Sequence, residues 1–125
     1  MLTLKQAVMK KIITICIFTL ATIGYAQEQQ PTYKAQGDLV KATYYSEDGS
    51  VKTQGFFKNK KLTGEWVRFD KAGNKTQLAY YDSGKKIGKW FVWTKASLKE
   101  INYVDNSIVS VNVWKPESNL AVNND

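Results

Sequence analysis

From position 38 onward, short runs rich in β-branched and aromatic residues alternate with clusters of Gly, Asp, Asn, Ser and Lys. The runs fall at 39–45, 51–57, 65–69, 75–81, 89–94, 99–104 and 108–114. Between them lie Ser46-Glu47-Asp48-Gly49, Lys58-Asn59-Lys60-Lys61, Asp70-Lys71-Ala72-Gly73-Asn74 and Asp82-Ser83-Gly84-Lys85. Short β-prone runs punctuated by turn signals every 8–12 residues are the pattern of hairpin-connected strands. No segment of this stretch sustains the 3.6-residue period of an amphipathic helix. The pattern therefore predicts an all-β antiparallel meander of about seven strands over 38–114. Residues 27–37 are polar without an apolar period and read as a spacer, and 115–125 read as a flexible polar tail.

The spacing of the aromatic residues adds a second level of order. Trp66, Trp90 and Trp114 are separated by 24 and 24 residues. In the same frame Gly49 aligns with Gly73, Gly64 with Gly88, Phe56 with Tyr80, and Phe57 with Tyr81, while Tyr45, Phe69 and Trp93 also align. A fixed period of this size marks an array of supersecondary units, here one hairpin each, that bury their faces only by stacking on neighbours. The third unit departs from the pattern, with Asn112 in place of the glycine and Ser97 in place of the turn glycine, as terminal units commonly do. Gly49, Gly73 and Gly84 sit in tight loops, where a positive φ closes a hairpin without a Cβ clash. Gly64 and Gly88 stand directly before Glu65-Trp66 and Lys89-Trp90. They fit either a backbone left open for an aromatic ring to lie across, or plain loop-end glycines.

Gly64-Glu65-Trp66-Val67-Arg68-Phe69 and Gly88-Lys89-Trp90-Phe91-Val92-Trp93 resemble the G-x-W-x-x-aromatic core of the MORN-repeat variant of bacterial proteins. Tyr44-Tyr45-Ser46-Glu47-Asp48-Gly49 and, in part, Tyr80-Tyr81-Asp82-Ser83-Gly84-Lys85 resemble its hairpin. The resemblance spans about 38–114 and implies a repeat β-sheet. Similar proteins carry an antitoxin label of the YwqK type, or a nucleotidyltransferase label. The second is contradicted here, because its His-x-Gly-His signature cannot be built without histidine. The first sits awkwardly with an export signal.

That signal is legible at the N-terminus. Met9-Lys10-Lys11 opens a basic segment, 12–23 is apolar apart from Thr and Cys16, and Gly24-Tyr25-Ala26 supplies small residues ahead of Gln27. This is the layout of a secretory signal peptide cleaved after Ala26, and the apolar run is shorter than the roughly 20 residues of a membrane span. Translation from Met9 would serve equally well, since 1–8 add nothing such a signal needs. Cleavage predicts an exported domain, periplasmic or at the cell surface. It also changes the chemistry, because Cys16, Met1, Met9 and three lysines leave with the signal. The net charge falls from +7 to about +4. No disulfide is then available, and the aromatic residues must supply most of the core.

Absent histidine removes Ser-His-Asp and Cys-His triads and His-ligated zinc. The remaining acid–base material is Glu47 with Asp48, and Glu65 with Asp70. Neither pair recurs through the repeats, since Lys89 and Thr94 replace Glu65 and Asp70. They read as turn and edge charges rather than the carboxyl pair of a glycosidase. No phosphate-binding glycine loop, calcium loop or cofactor motif is present, so no catalytic residue, metal or cofactor is assigned. Alternation points Phe69 and Trp93 to the opposite face from Trp66 and Trp90. The stacked aromatics fit either the core or an open binding face. On the second reading the candidate site is a binding surface with Trp66, Phe69, Trp90 and Trp93 as its aromatic part, and Lys60, Lys61, Lys85 and Lys86 as an electrostatic rim. The expected partner is an envelope protein, or an envelope polysaccharide or lipid, with a toxin-binding immunity protein as the alternative. Nucleic acid fits poorly with export and a modest charge. An unclosed meander leaves two edges free, so the oligomeric state is open.

Overall fold

The computed structural model describes residues 3–6 and 29–116. The signal segment 1–26 therefore lies almost entirely, and the tail largely, outside the described residues. No helix among the described residues is long and apolar enough to cross a membrane.

The structure is all-β. Nine strands form one antiparallel sheet: β1 (Thr32–Gln36), β2 (Leu39–Tyr45), β3 (Val51–Lys58), β4 (Lys61–Phe69), β5 (Lys75–Asp82), β6 (Lys85–Lys86), β7 (Gly88–Trp93), β8 (Leu98–Val104) and β9 (Ser107–Trp114). Each strand pairs with its sequence neighbour, except that β6 and β7 both pair with β5. The sheet is a meander that does not close. Two strands exceed expectation. β1 arises within the stretch read as spacer, where Tyr33 to Gln36 pair with Ala42 to Leu39 across the Gly37-Asp38 turn. Polar side chains suit an edge exposed on both faces, so the absence of an apolar period did not exclude a strand there. β6 is the start of a strand broken from β7 at Ile87.

Two kinds of turn alternate. At one end of the sheet Asn59-Lys60, Ser83-Gly84 and Asp105-Asn106 have positive φ at both residues. This is the tight turn whose twist matches that of the strands it joins. Their tips dock sideways: Gly84 N–H donates to Leu62 O at 2.9 Å and Asn106 N–H to Lys86 O at 3.0 Å. At the other end the β7–β8 loop is closed by the Thr94 hydroxyl, which accepts from the Ser97 N–H at 3.0 Å, and the other two loops by acidic caps. Asp48 accepts from the Ser50 N–H at 3.0 Å, and Asp70 from the Asn74 N–H at 2.9 Å.

The pairing between strands repeats with the spacing of the tryptophans. Gln54↔Val67, Phe57↔Leu62 and Lys58↔Lys61 recur 24 positions later as Leu78↔Phe91, Tyr81↔Lys86 and Asp82↔Lys85. Within the first set the register breaks between Gln54 and Phe56. Gly64, Glu65 and Trp66 therefore lie opposite the single residue Gly55. Such a bulge bends the strand and re-aims its side chains. Gly64 and Gly88 hold φ of 62° and 66° at these breaks. A Cβ on either would meet nothing, whereas one on Gly55 would collide with the Trp66 ring. The glycine beneath the aromatic is thus Gly55, and Gly64 and Gly88 serve the backbone turn that delivers the ring.

Trp66 donates its indole N–H to Phe56 O at 3.1 Å, and Trp90 donates to Tyr80 O at 3.1 Å. Tyr80 O also accepts from Ile87 N–H at 3.0 Å, so both its lone pairs are used. The buried cluster is Ala42, Trp66, Ala79, Trp90 and Tyr103, flanked by Tyr44, Phe57, Leu62, Tyr81 and Ile101. Phe57 meets Trp66 edge-on at 5.1 Å and Tyr81 meets Trp90 at 5.2 Å.

The third unit differs. Tyr103 stands 24 residues after Ala79, where its ring packs on Trp90 at 4.8 Å. The β8–β9 turn falls at Asp105-Asn106, two residues earlier than the 24-residue spacing places it. Trp114 accordingly does not enter the core and remains 49% exposed.

Gly55→Ala is expected to destabilise the fold by about 1–3 kcal/mol, because the added methyl forces the Trp66 ring off its seat. Urea denaturation followed by circular dichroism checks this. The same substitution at Gly37, where a Cβ meets nothing, carries the cost of positive φ without the clash and provides the comparison.

Candidate functional site

Alternation along the strands, adjusted for the bulges, divides the side chains between two faces. The face carrying Trp66 and Trp90 is the core face. Both indoles are buried, at 8% and 6% exposure, so they meet a partner only through the rings that cover them. Phe69 and Trp93 project from the opposite face, near the end of the sheet with the acidic caps. The sheet thus separates the four aromatic residues into two pairs, one pair on each side.

Residues that the sequence did not single out join Trp93 on its face. Phe91 stacks with Trp93 at 5.9 Å between centroids and 26° between planes. Leu78 stands opposite Phe91, Leu98 opposite Trp93, and Trp114 opposite Leu98. Leu78, Phe91, Trp93 and Leu98 are half-buried and Trp114 is exposed. Together they form an apolar band crossing β5, β7, β8 and β9. Its signal in the sequence was the alternation Phe91-x-Trp93. Phe69 lies apart, lining a shallow hollow of about 390 Å³ with Ser50, Val51, Gln54 and the Lys71-Ala72-Gly73 loop.

The four lysines gather at the other end of the sheet, on neighbouring turns and strand starts. Lys60, Lys61 and Lys85 are exposed, and Lys86 is half-buried. They do not act as a uniform basic rim, because acids stand among them. Lys58 pairs with Asp38 at 3.0 Å, which draws the Asp38 carboxyl below its ordinary range. A hollow of about 280 Å³ between the two hairpin tips is lined by Lys58, Lys61 and Asp82 together with Asn59, Thr63 and Ser83. Lys86 faces inward instead. Its ammonium lies 5.0 Å from the Trp90 ring centroid and 5.3 Å from that of Tyr103. This cation–π contact covers the core tryptophan where Leu62 serves Trp66.

The carboxylates have structural partners. Hydrogen bonds from Ser50 hold Asp48 below its ordinary pKa, and the Asn74 backbone N–H does the same for Asp70. A general acid needs the opposite shift. Glu65 accepts from the Tyr80 hydroxyl at 3.3 Å. Burial, followed by the Glu65 charge, raises the pKa of that phenol. Among the described residues no three of His, Cys, Asp and Glu come together to hold a metal ion.

No family model, curated protein or solved structure matches this chain.

The capped turns make stability depend on acid pH. A carboxyl depressed in the folded state contributes stability above its unfolded pKa of about 3.9 and loses it as pH falls through the folded value. The melting temperature is therefore expected to be nearly flat from neutral pH to about 5 and to fall below about 4. Asp70→Ala should lower it at neutral pH and flatten the acid decline, as thermal melts across pH would show.

Proposed function

We propose that this chain is an exported, non-enzymatic repeat protein that binds or scaffolds a protein partner in the cell envelope. The observation that carries this reading is the apolar band around the stacked Phe91–Trp93 pair, held half-open on a rigid strand register. Aromatic side chains presented this way give a partner large contact area at small entropic cost, because strand pairing has already fixed their backbone. The buried tryptophans Trp66 and Trp90 maintain the sheet and do not touch the partner. The lysine end, with acids interleaved, steers approach rather than defining a site. Support for export comes from the signal-peptide layout of 1–26, and support for a scaffold from the resemblance to MORN-variant repeats.

Tagged protein incubated with envelope extract is expected to retain one partner at fixed stoichiometry. Trp93→Ala should fold, as judged by circular dichroism, and bind at least tenfold more weakly, the loss of about 2 kcal/mol typical of an aromatic anchor. Trp90→Ala should instead fail to fold. Salt-reversible retention on envelope polysaccharide or anionic vesicles, with no protein captured, would replace this reading with a surface-binding module. A toxin as the single partner would make the protein an immunity factor. The exported form should begin at Gln27 by mass spectrometry, and a retained Met terminus would overturn the export assignment.

A further inference from the structure

The two edges of the sheet differ in kind. β1 is five residues long and carries Lys34 at its centre, which deters pairing with another strand. β9 is eight residues long, Ser107–Trp114, and contains no charged residue. Every residue of it is exposed, and Ile108, Val109, Val111, Val113 and Trp114 are 48–65% exposed. Among the described residues β9 has a strand neighbour on one side only, and an uncharged apolar strand with a free edge is a template for another strand.

The order of side chains identifies that other strand. Along 108–114 the residues are Ile, Val, Ser, Val, Asn, Val and Trp. The alternation of apolar and polar positions is the same in both directions about Val111. We propose that β9 pairs antiparallel with β9 of a second copy, across a two-fold axis at Val111. Val111 then meets Val111, Ser110 meets Asn112 and Val109 meets Val113. Each apolar residue faces an apolar one and each polar residue a polar one. A two-fold interface must be self-complementary, and an antiparallel strand with a symmetric pattern satisfies that requirement. Charge at this edge does not oppose such pairing: unlike β1 with Lys34, β9 brings no lysine against lysine. A bulge at Val109, where Asn102 pairs with Ser110 and Tyr103 with Ile108, bends one end of the strand. The rungs around Val111 lie on its regular part.

This inference is distinct from the partner-binding reading, because its central rungs, 109–113, lie outside the aromatic band; Trp114 at the end of β9 is the one residue the two share. Sedimentation of the whole chain over a range of concentrations should show a monomer–dimer equilibrium. Val111→Lys places two like charges at the axis and should weaken the dimer at least tenfold while leaving the circular dichroism unchanged. Val111→Glu should do the same, and the two variants mixed should recover a mixed dimer. In the unmodified protein, amide exchange along β9 should slow as concentration rises, a readout that requires no variant to fold. A protein that stays monomeric with concentration-independent exchange overturns the proposal. So does a Val111→Lys dimer as tight as the original, or a failure of the mixed variants to pair. A dimer that forms only when 117–125 are removed would assign the edge to the chain's own tail instead.

Discussion

The sheet depends on a tryptophan laid across its neighbouring strand. Trp66 occupies the space above Gly55 and gives its indole N–H to the carbonyl of Phe56, and Trp90 gives its own to Tyr80. An indole needs both an apolar bed and an acceptor to be buried without cost. Here one local arrangement provides both: the register break turns the strand, the small residue opens the bed, and the adjacent carbonyl accepts. Removing any of these strands a large ring or leaves a polar group unsatisfied.

A single sheet has two faces, and only one can be closed in this way. Covering Trp66 and Trp90 draws Phe57, Tyr81, Tyr103 and the Lys86 ammonium to one side. The strands that present these residues must alternate, so Phe91, Trp93 and Leu98 project to the other side, where they are half-buried beside the buried Val67. The half-open aromatic band is therefore a consequence of how the core is built. The same economy leaves the last unit incomplete. Tyr103 fills the place that Gly55 and Ala79 hold in the earlier units, the final turn comes early, and Trp114 is left at an apolar edge.

Much of this was legible in the residues. Hairpin spacing and the absence of a helical period gave the all-β meander, and the turn residues marked the boundaries of the central strands. The 24-residue frame identified Trp66 and Trp90 as equivalent, and the structure gives them the same hydrogen bond to a carbonyl ten residues earlier. Other features could not be read this way. β1 carries no apolar pattern because an edge strand needs none. Gly64 and Gly88, next to the tryptophans in sequence, fitted either a bed for an aromatic ring or a backbone turn, and the structure gives them positive φ with no ring over them. The bed is Gly55, which adjoins Trp66 only across the strand pair.

The candidate site shows the same division. Composition removed histidine chemistry, and aromatic content indicated packing or binding as the use of these side chains. Which aromatic residue does which depended on register, since a shift of one position moves a side chain through the sheet. Lys85 and Lys86 are adjacent in sequence, yet one faces solvent and the other covers Trp90. Local preference is written into each residue and its neighbours, so strands, turns and period follow from the chain alone. Alternation within a strand already set Phe69 and Trp93 opposite Trp66 and Trp90, but covering and exposure are relations between segments far apart in sequence, and only the pairing of the strands decides them.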